Sequence, residues 1–561
     1  MAEIKGTSYQ ALPLDDSSTE KSVKNDVLNN VKPLFTKNNE HYDGLDPISL
    51  TSSDAYYVVL SYTGNYGRWQ WQMFLITSFC GLFTALHNLS AAFMAATPEH
   101  WCSIPALENA NITLDTRNIS IPWIEKDGEW QYSSCEYYVR DYSALVAEGI
   151  FDGHKLPDLP TNVSTATCQQ WHYDDSIYKT TVVGDWNLVC NQKFLMSVVQ
   201  STYMSGVLIG AVILSELSDK FGRRTIALLS AVGFLITSVA TAFSNHYITF
   251  IVLRFFVAFF GSGLFLPCFV LLMEVVGPEA RTFMGMNYQS FFSVGFMLLP
   301  LIAYYVREWR NLQLAISIPS VSMLAYYWLL PESPRWLLSH GRQNEALKVL
   351  SQIAKVNGKE LPKEEELNFL LNKIDESSDE QISLKQKCLK LGSSLVTLVR
   401  TPNMRRRCCV MFFAWFVVSM IYYGLTFSGG NIAASVYLMV FLSGVVEIPS
   451  YMLVSWTLNL WGRRINLTGL FLICGAACLA IIAVPKEMVW VNMTLASFGK
   501  FFNSSAFAVA YIYSAELVPT SVRNICVGTS SMWARLGSTL APFVVDLLVH
   551  YTIPSTVFVG V

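Results

Sequence analysis

Runs of about 20 mostly apolar residues recur along the chain, each bounded by short polar stretches. They cover 72–95, 194–215, 226–243, 248–273, 283–305 and 312–330, then resume at 408–427, 432–456, 465–484, 489–513 and 525–549. About 20 residues of α-helix cross the hydrocarbon core of a bilayer. The pattern therefore predicts an all-α membrane protein with eleven spanning helices, six and then five. Between the two sets, 331–407 is charged and helical in pattern, with an amphipathic "EALKVLSQIAKV", and reads as a helical linker. Residues 1–70 are polar, lack the apolar core of a signal peptide and read as a largely disordered tail. The predicted divisions are 1–70, 71–330, 331–407 and 408–561.

The polar breaks repeat. "ELSDKFGRR" packs five ionised side chains into nine residues between the second and third runs, and "NLWGRR" stands between the eighth and ninth, with Asn459 lying 240 positions after Asp219. Glu274 and Arg281 in "EVVGPEAR" are spaced like Glu516 and Arg523 in "ELVPTSVR", at an offset of 242. Two features at nearly one offset indicate an internal duplication. The second set should then hold six helices. Only the first apolar residues of a twelfth precede Val561, so the native chain is expected to extend further.

Composition agrees with a membrane protein, since 52% of residues are hydrophobic and 14% charged. A net charge of −3 gives no indication of nucleic-acid binding. The basic residues of the short connections fall on one side when the helices alternate, among them Arg223, Arg224, Arg281, Arg463, Arg464 and Arg523. The positive-inside rule makes that side cytoplasmic and places the N-terminus there. The opposite side carries the long segment 96–193, with acceptor sequons at Asn111, Asn118 and Asn162 and cysteines at Cys102, Cys135, Cys168 and Cys190. Four cysteines facing an oxidising compartment read as two disulfides, for which three pairings exist.

Gly222 and Gly462 allow tight turns, and the arginines beside them anchor the turns at the headgroups. Asp219 adds nothing to anchoring and is placed to pair with the other half. The charged positions Asp219, Arg223, Arg224, Glu274, Arg281, Arg463, Arg464, Glu516 and Arg523 are thus candidates for a latch that closes in one state of a two-state carrier, with two related halves rocking about a central site.

"SDKFGRR" resembles the loop signature of the major facilitator superfamily. "PESPRWLL" at 331–338, "AELVPTSVRN" at 515–524 and the large cysteine-bearing loop after the first run resemble solute carrier family 22, the organic ion transporters. The resemblance spans about Gly64 to the end and implies two six-helix halves and alternating access. Asn459 departs from it, lacking the acid of the first copy, and Ser215 stands where the signature usually has glycine.

Ionisable groups inside spanning runs are costly and mark function by default. Four lie well inside: Arg254 in the fourth run, Glu447 in the eighth, Lys500 in the tenth and Arg535 in the eleventh; His87 in the first is a weaker fifth. Arg254 resembles a structural arginine of the superfamily. Glu447, Arg535 and Lys500 are candidate substrate groups. The resemblance implies that arginine at position 535 goes with anion and carnitine carriers, and that a carboxylate at 447 goes with cation and carnitine branches. It also implies that Trp415 and Tyr422, seven apart on one helix face, line the cavity with Phe265 and Gln289. One carboxylate and one or two bases suit a zwitterion, and aromatic faces attract ammonium groups. The expected activity is plasma-membrane transport of zwitterionic or cationic amines of carnitine-like type, with an organic anion exchanger as the alternative. Sodium or a proton is the candidate coupling ion, and membrane lipid the surrounding partner. The chain has no phosphate-binding loop of the kind an ATP-driven pump requires and no convergent catalytic or metal-ligating set, so no cofactor and no enzymatic role is expected. A receptor or adhesion role for the glycosylated loop is the reading of a different class.

Overall fold

The computed structural model describes residues 52–108, 120–126, 129–147, 163–362, 367, 370–371, 401–427, 435–485, 488–518 and 523–550. The sequons at Asn111, Asn118 and Asn162, and the segment 551–561 where a twelfth helix would begin, lie outside these residues. Helices follow the apolar runs: α1 (Ser52–Thr63), α2 (Arg68–Leu89), α3 (Phe194–Phe221), α4 (Arg223–Ala242), α5 (Tyr247–Val275), α6 (Pro278–Tyr288), α7 (Ser290–Tyr305), α8 (Trp309–Ser317), α9 (Pro334–Ser339), α10 (Gln343–Asn357), α11 (Pro402–Phe427), α12 (Val436–Ala483), α13 (Val489–Glu516) and α14 (Arg523–His550). Among the described residues, nine helical stretches are long and apolar enough to cross a membrane. The tenth and eleventh predicted spans are the 28-residue helices α13 and α14.

Both repeated turns bend at glycine. Gly222 joins α3 to α4 with φ 101° and ψ 147°, and Gly462 breaks α12 with φ 71° and ψ 175°. Only glycine enters that region readily. The duplication read from the charges is thus repeated in the backbone. Pro267, Pro300, Pro449 and Pro542 sit inside helices, as neighbouring membrane helices permit.

Two compact units divide the chain: Met1–Phe74 with Leu271–Thr282 and Pro331–Ser383, and Leu75–Val270 with Phe283–Leu330 and Leu384–Val561. In the first unit, residues 52–63 of the expected tail form α1. Ala55, Tyr56, Val58, Val59 and Leu60 are buried, and α1 packs on α10. The amide of Asn357 ends this arrangement, donating to the Thr63 carbonyl at 2.9 Å and Gln70 Oε1 at 3.0 Å and accepting from the Trp69 N–H at 3.0 Å. Gln70 in turn donates to the Gly64 carbonyl at 2.8 Å.

In the second unit, α11 packs on α14, α12 on α13 and α4 on α8; the two halves meet where α7 packs on α12 and α3 on α14. A Cβ on Gly444 would come within 2.8 Å of the Ser293 carbonyl, so the α7–α12 approach requires glycine there. The loop after α2 carries three antiparallel strand pairs, β1 (His100–Cys102) with β6 (Trp171–Tyr173), β2 (Trp123–Lys126) with β3 (Glu129–Tyr132), and β4 (Glu136–Tyr138) with β5 (Thr165–Thr167). Of the three possible pairings, the structure has Cys102–Cys168 and Cys135–Cys190. The end of this loop is stitched to the turn before α8. Thr180 bridges Glu308, the Lys179 N–H donates to the Arg307 carbonyl, Arg307 donates to the Ser176 carbonyl, and Asp185 accepts from both Trp309 and Arg310.

Candidate functional site

Glu447 is fully buried in α12, and its carboxylate has three partners. The Tyr422 hydroxyl of α11 donates to Oε1 at 2.5 Å, the Ser293 hydroxyl of α7 donates to Oε2 at 2.7 Å, and Lys500 Nζ of α13 lies 3.6 Å from Oε1. Lys500, also fully buried, donates to Thr426 Oγ1 at 2.5 Å and sits 4.0 Å from the Tyr422 ring centroid and 5.4 Å from that of Phe296. Two charges withdrawn from water are tolerated only when paired and when their remaining lone pairs and protons are met. Here four helices, one from the first half and three from the second, meet that demand.

Arg535 differs. It is half-buried in α14, within electrostatic range of the Tyr203 and Tyr423 phenols, and no carboxylate among the described residues pairs with it. The charges at positions 447, 500 and 535 therefore leave one base uncompensated.

The aromatic candidates separate. Tyr422 belongs to the Glu447 cluster. Trp415 shares its helix face, and that face packs on α13: Trp415 is fully buried against Phe507 at 5.5 Å and Tyr511 at 4.3 Å, in a core with Met411, Val418 and Val454. The structure thus places Trp415 in the packing of the second half, where the expectation was a cavity wall. Phe265 stands against Tyr288 at 4.9 Å and Phe292 at 6.2 Å, and Phe292 touches Phe296 at 4.9 Å, so an aromatic chain runs from α5 to Lys500. Gln289 is the residue between α6 and α7; its carbonyl accepts from the Phe292 and Ser293 N–H groups. Sequence reasoning missed Ser293, Phe296 and Thr426. Ser293 lies one helical turn beyond Gln289 and Thr426 one turn beyond Tyr422, so an i, i+4 reading from the named residues would have reached both.

The charged turns pair locally. Arg223 bridges Asp219 one turn earlier at 2.8 Å and donates to the Ser218 carbonyl at the end of α3, while Arg224 donates to the Tyr327 carbonyl at 2.6 Å. Arg281 donates to the Met273 and Val276 carbonyls at the end of α5 and to the Tyr57 hydroxyl; the Glu274 carbonyl accepts from Tyr56. In the second half, Arg463 holds Glu516 through two hydrogen bonds of 2.9 and 3.1 Å, Arg464 is exposed, and the Arg523 side chain lies outside the described residues. Arginine at a helix C-terminus satisfies free carbonyls and complements the helix dipole. These ion pairs stay within each half, whereas the latch reading expected them across the halves.

At the loop end, contacts do cross the halves. The Tyr437 ring at the start of α12 lies 5.2 Å from Phe93, 5.9 Å from Tyr304 and 6.4 Å from Tyr178, and Ser201 of α3 donates to the Thr539 carbonyl of α14 at 2.7 Å.

The sugar (and other) transporter family profile matches residues 157–559. The chain is 37% identical to an organic cation transporter protein of Drosophila melanogaster, over 86% of this chain and 85% of that one. It is 34% identical to solute carrier family 22 member 21 of Mus musculus, covering 87% and 85%, and 33% identical to organic cation/carnitine transporter 2 of Homo sapiens, covering 87% and 86%. In fold it matches the major facilitator superfamily proton:xylose symporter XylE with a TM-score of 0.55 at 15% identity, over 88% of this chain and 94% of that one. An inward-open partially occluded form of the E. coli xylose transporter gives 0.53. The chain belongs to the sugar (and other) transporter family and, with these relatives, to solute carrier family 22.

Proposed function

We propose that this multi-pass transporter carries small organic ions across the plasma membrane by alternating access, and that its substrates are zwitterionic amines of carnitine-like type bearing a carboxylate. One observation carries the reading: Glu447 is already paired with Lys500, while Arg535 has no carboxylate partner among the described residues. The substrate carboxylate binds Arg535, whose planar guanidinium accepts it in two-pronged fashion. The ammonium group approaches Tyr422 and Phe296, where Lys500 now lies over both rings, and takes the place of Lys500 at Glu447. Binding shifts the inward and outward populations by as much as its affinity for the two states differs. The loop-side contacts of Tyr437 hold one state. Asp219 and the basic turns latch the other, with the basic side cytoplasmic.

The Lys500–Glu447 pair favours a second reading. A neutralised Glu447 leaves a site of net positive charge, and an organic anion then binds Arg535 with Lys500 unmoved. Uptake of a labelled carnitine-like zwitterion, a simple quaternary amine and an aromatic dicarboxylate, each with and without sodium, separates the two. Preference for the zwitterion supports the first reading, with the sodium arm giving the coupling. Preference for the dicarboxylate overturns it in favour of the second.

A further inference from the structure

Arg254 lies apart from the Glu447 cluster, and its charge has no ion-pair partner among the described residues. It is fully buried about two turns into α5. Its Nη1 donates to the His87 carbonyl at 3.1 Å and to Ser90 Oγ at 2.9 Å, both on the loop side of the first span, and the guanidinium lies 4.6 Å from the Tyr203 ring centroid. Nε and Nη2 are buried without an acceptor. The ion pairs among the described residues join Asp219 to Arg223, Asp185 to Arg310, Glu345 to Arg342, Glu516 to Arg463 and Glu447 to Lys500; Arg254 is in none of them.

Guanidinium does not deprotonate in proteins, so this group cannot shed its charge as a buried lysine would. A π-face and two neutral oxygens reduce the cost of burial without cancelling the charge. The residue that supplies one of those oxygens adds a second donor. His87 is fully buried, its ring meets Phe234 edge-on at 5.0 Å, and neither ring nitrogen makes a hydrogen bond of good geometry. A neutral imidazole carries one N–H in either tautomer. Asn88 Oδ1 and Gln200 Oε1 are buried acceptors nearby in sequence and contact, since Gln200 Nε2 reaches the Asn88 carbonyl at 3.4 Å, but they are neutral. Water bridging these groups would satisfy hydrogen bonds and leave the charge unbalanced.

We propose that Arg254 and His87 hold a small monovalent inorganic anion of the chloride class inside the first half, separate from Arg535. The anion is a structural counter-ion: it binds the folded bundle and not the unfolded chain, so it raises stability by mass action. The test uses the purified full-length protein in nanodiscs, with its unfolding temperature followed as gluconate is replaced by chloride at constant ionic strength. The expected result is a saturable rise in unfolding temperature that is absent in Arg254→Gln, shifted to at least tenfold higher chloride in His87→Leu, and retained in Arg535→Ala. Equal stability in chloride and gluconate overturns the proposal. So does a chloride response that survives Arg254→Gln, or one abolished by Arg535→Ala alone, which would place the anion at the substrate site. Should Arg254→Gln fail to fold, His87→Leu decides, and an unchanged chloride midpoint overturns it. None of these outcomes depends on which organic ion the protein carries.

Discussion

At the scale of single residues, the Glu447 cluster and Arg535 make different predictions because one charge is compensated and the other is not. Lys500→Met leaves a buried carboxylate without its cation, which typically costs about 3–5 kcal/mol. We expect a large fall in unfolding temperature and surface expression, measured by thermal shift and surface labelling; a stable Lys500→Met protein would show that the Tyr422 and Ser293 hydroxyls suffice to hold Glu447. Arg535→Asp, at a half-buried position without a carboxylate partner among the described residues, should fold and shift uptake from carboxylate-bearing substrates toward simple cations. Unchanged selectivity would remove Arg535 from the site. The charged members of this group were legible in the sequence because an ionised residue in an apolar run stands out against its neighbours. Ser293 and Thr426 were not, since a hydroxyl can satisfy its own helix through an i−4 carbonyl and so carries no signal by itself. Trp415 is the reverse case: its spacing puts it on the Tyr422 face, but sequence spacing does not say whether a helix face meets a cavity or another helix.

At the scale of elements, the repeated turns were the most informative part of the sequence, and their glycines are where structure answers it most directly. Gly462→Ala places a side chain at φ 71°, in a region that costs of order 1–3 kcal/mol for any residue but glycine. Gly222→Ala should behave alike, and both are checked by the unfolding temperature in detergent. Asp219 makes its observed ion pair within its own turn, and its own carboxylate is exposed to solvent, where an ion pair contributes little to stability. Asp219→Asn should therefore leave expression intact while slowing turnover, if the acid is needed in the other state of the cycle; normal turnover would refute the latch. Other elements resisted reading for stated reasons. α1 has only twelve residues, "SSDAYYVVLSYT", too short for a span and preceded by a long polar stretch, so it was absorbed into the tail. Its burial depends on α10, almost 300 positions away. The disulfide pairing likewise needed the fold, because four cysteines on one loop leave three solutions until the strands bring Cys102 to Cys168.

At the scale of the whole molecule, the eleven apolar runs and the internal offset were sufficient to anticipate two related halves, and the family assignment agrees with them. What the sequence did not disclose is how the halves touch. They meet through α7 on α12 and α3 on α14, and at the loop end through the rings around Tyr437. Cysteines introduced by Tyr178→Cys and Tyr437→Cys should crosslink on oxidation and reduce uptake to background, with recovery on reduction. Crosslinking without loss of uptake would mean that this contact persists throughout the cycle.

The stitching of the loop to the turn before α8 bears on which conformations a reagent directed at the loop can recognise. Thr180, Lys179 and Asp185 fasten the disulfide-bonded segment to one half, while Tyr178 alone among these neighbours leans on the other. The end of the segment is thus fastened to one half and touches the other through Tyr178. An antibody fragment that recognises the segment and Tyr437 together would see one conformation only. It would serve as a conformational reporter that does not occupy the Glu447 site.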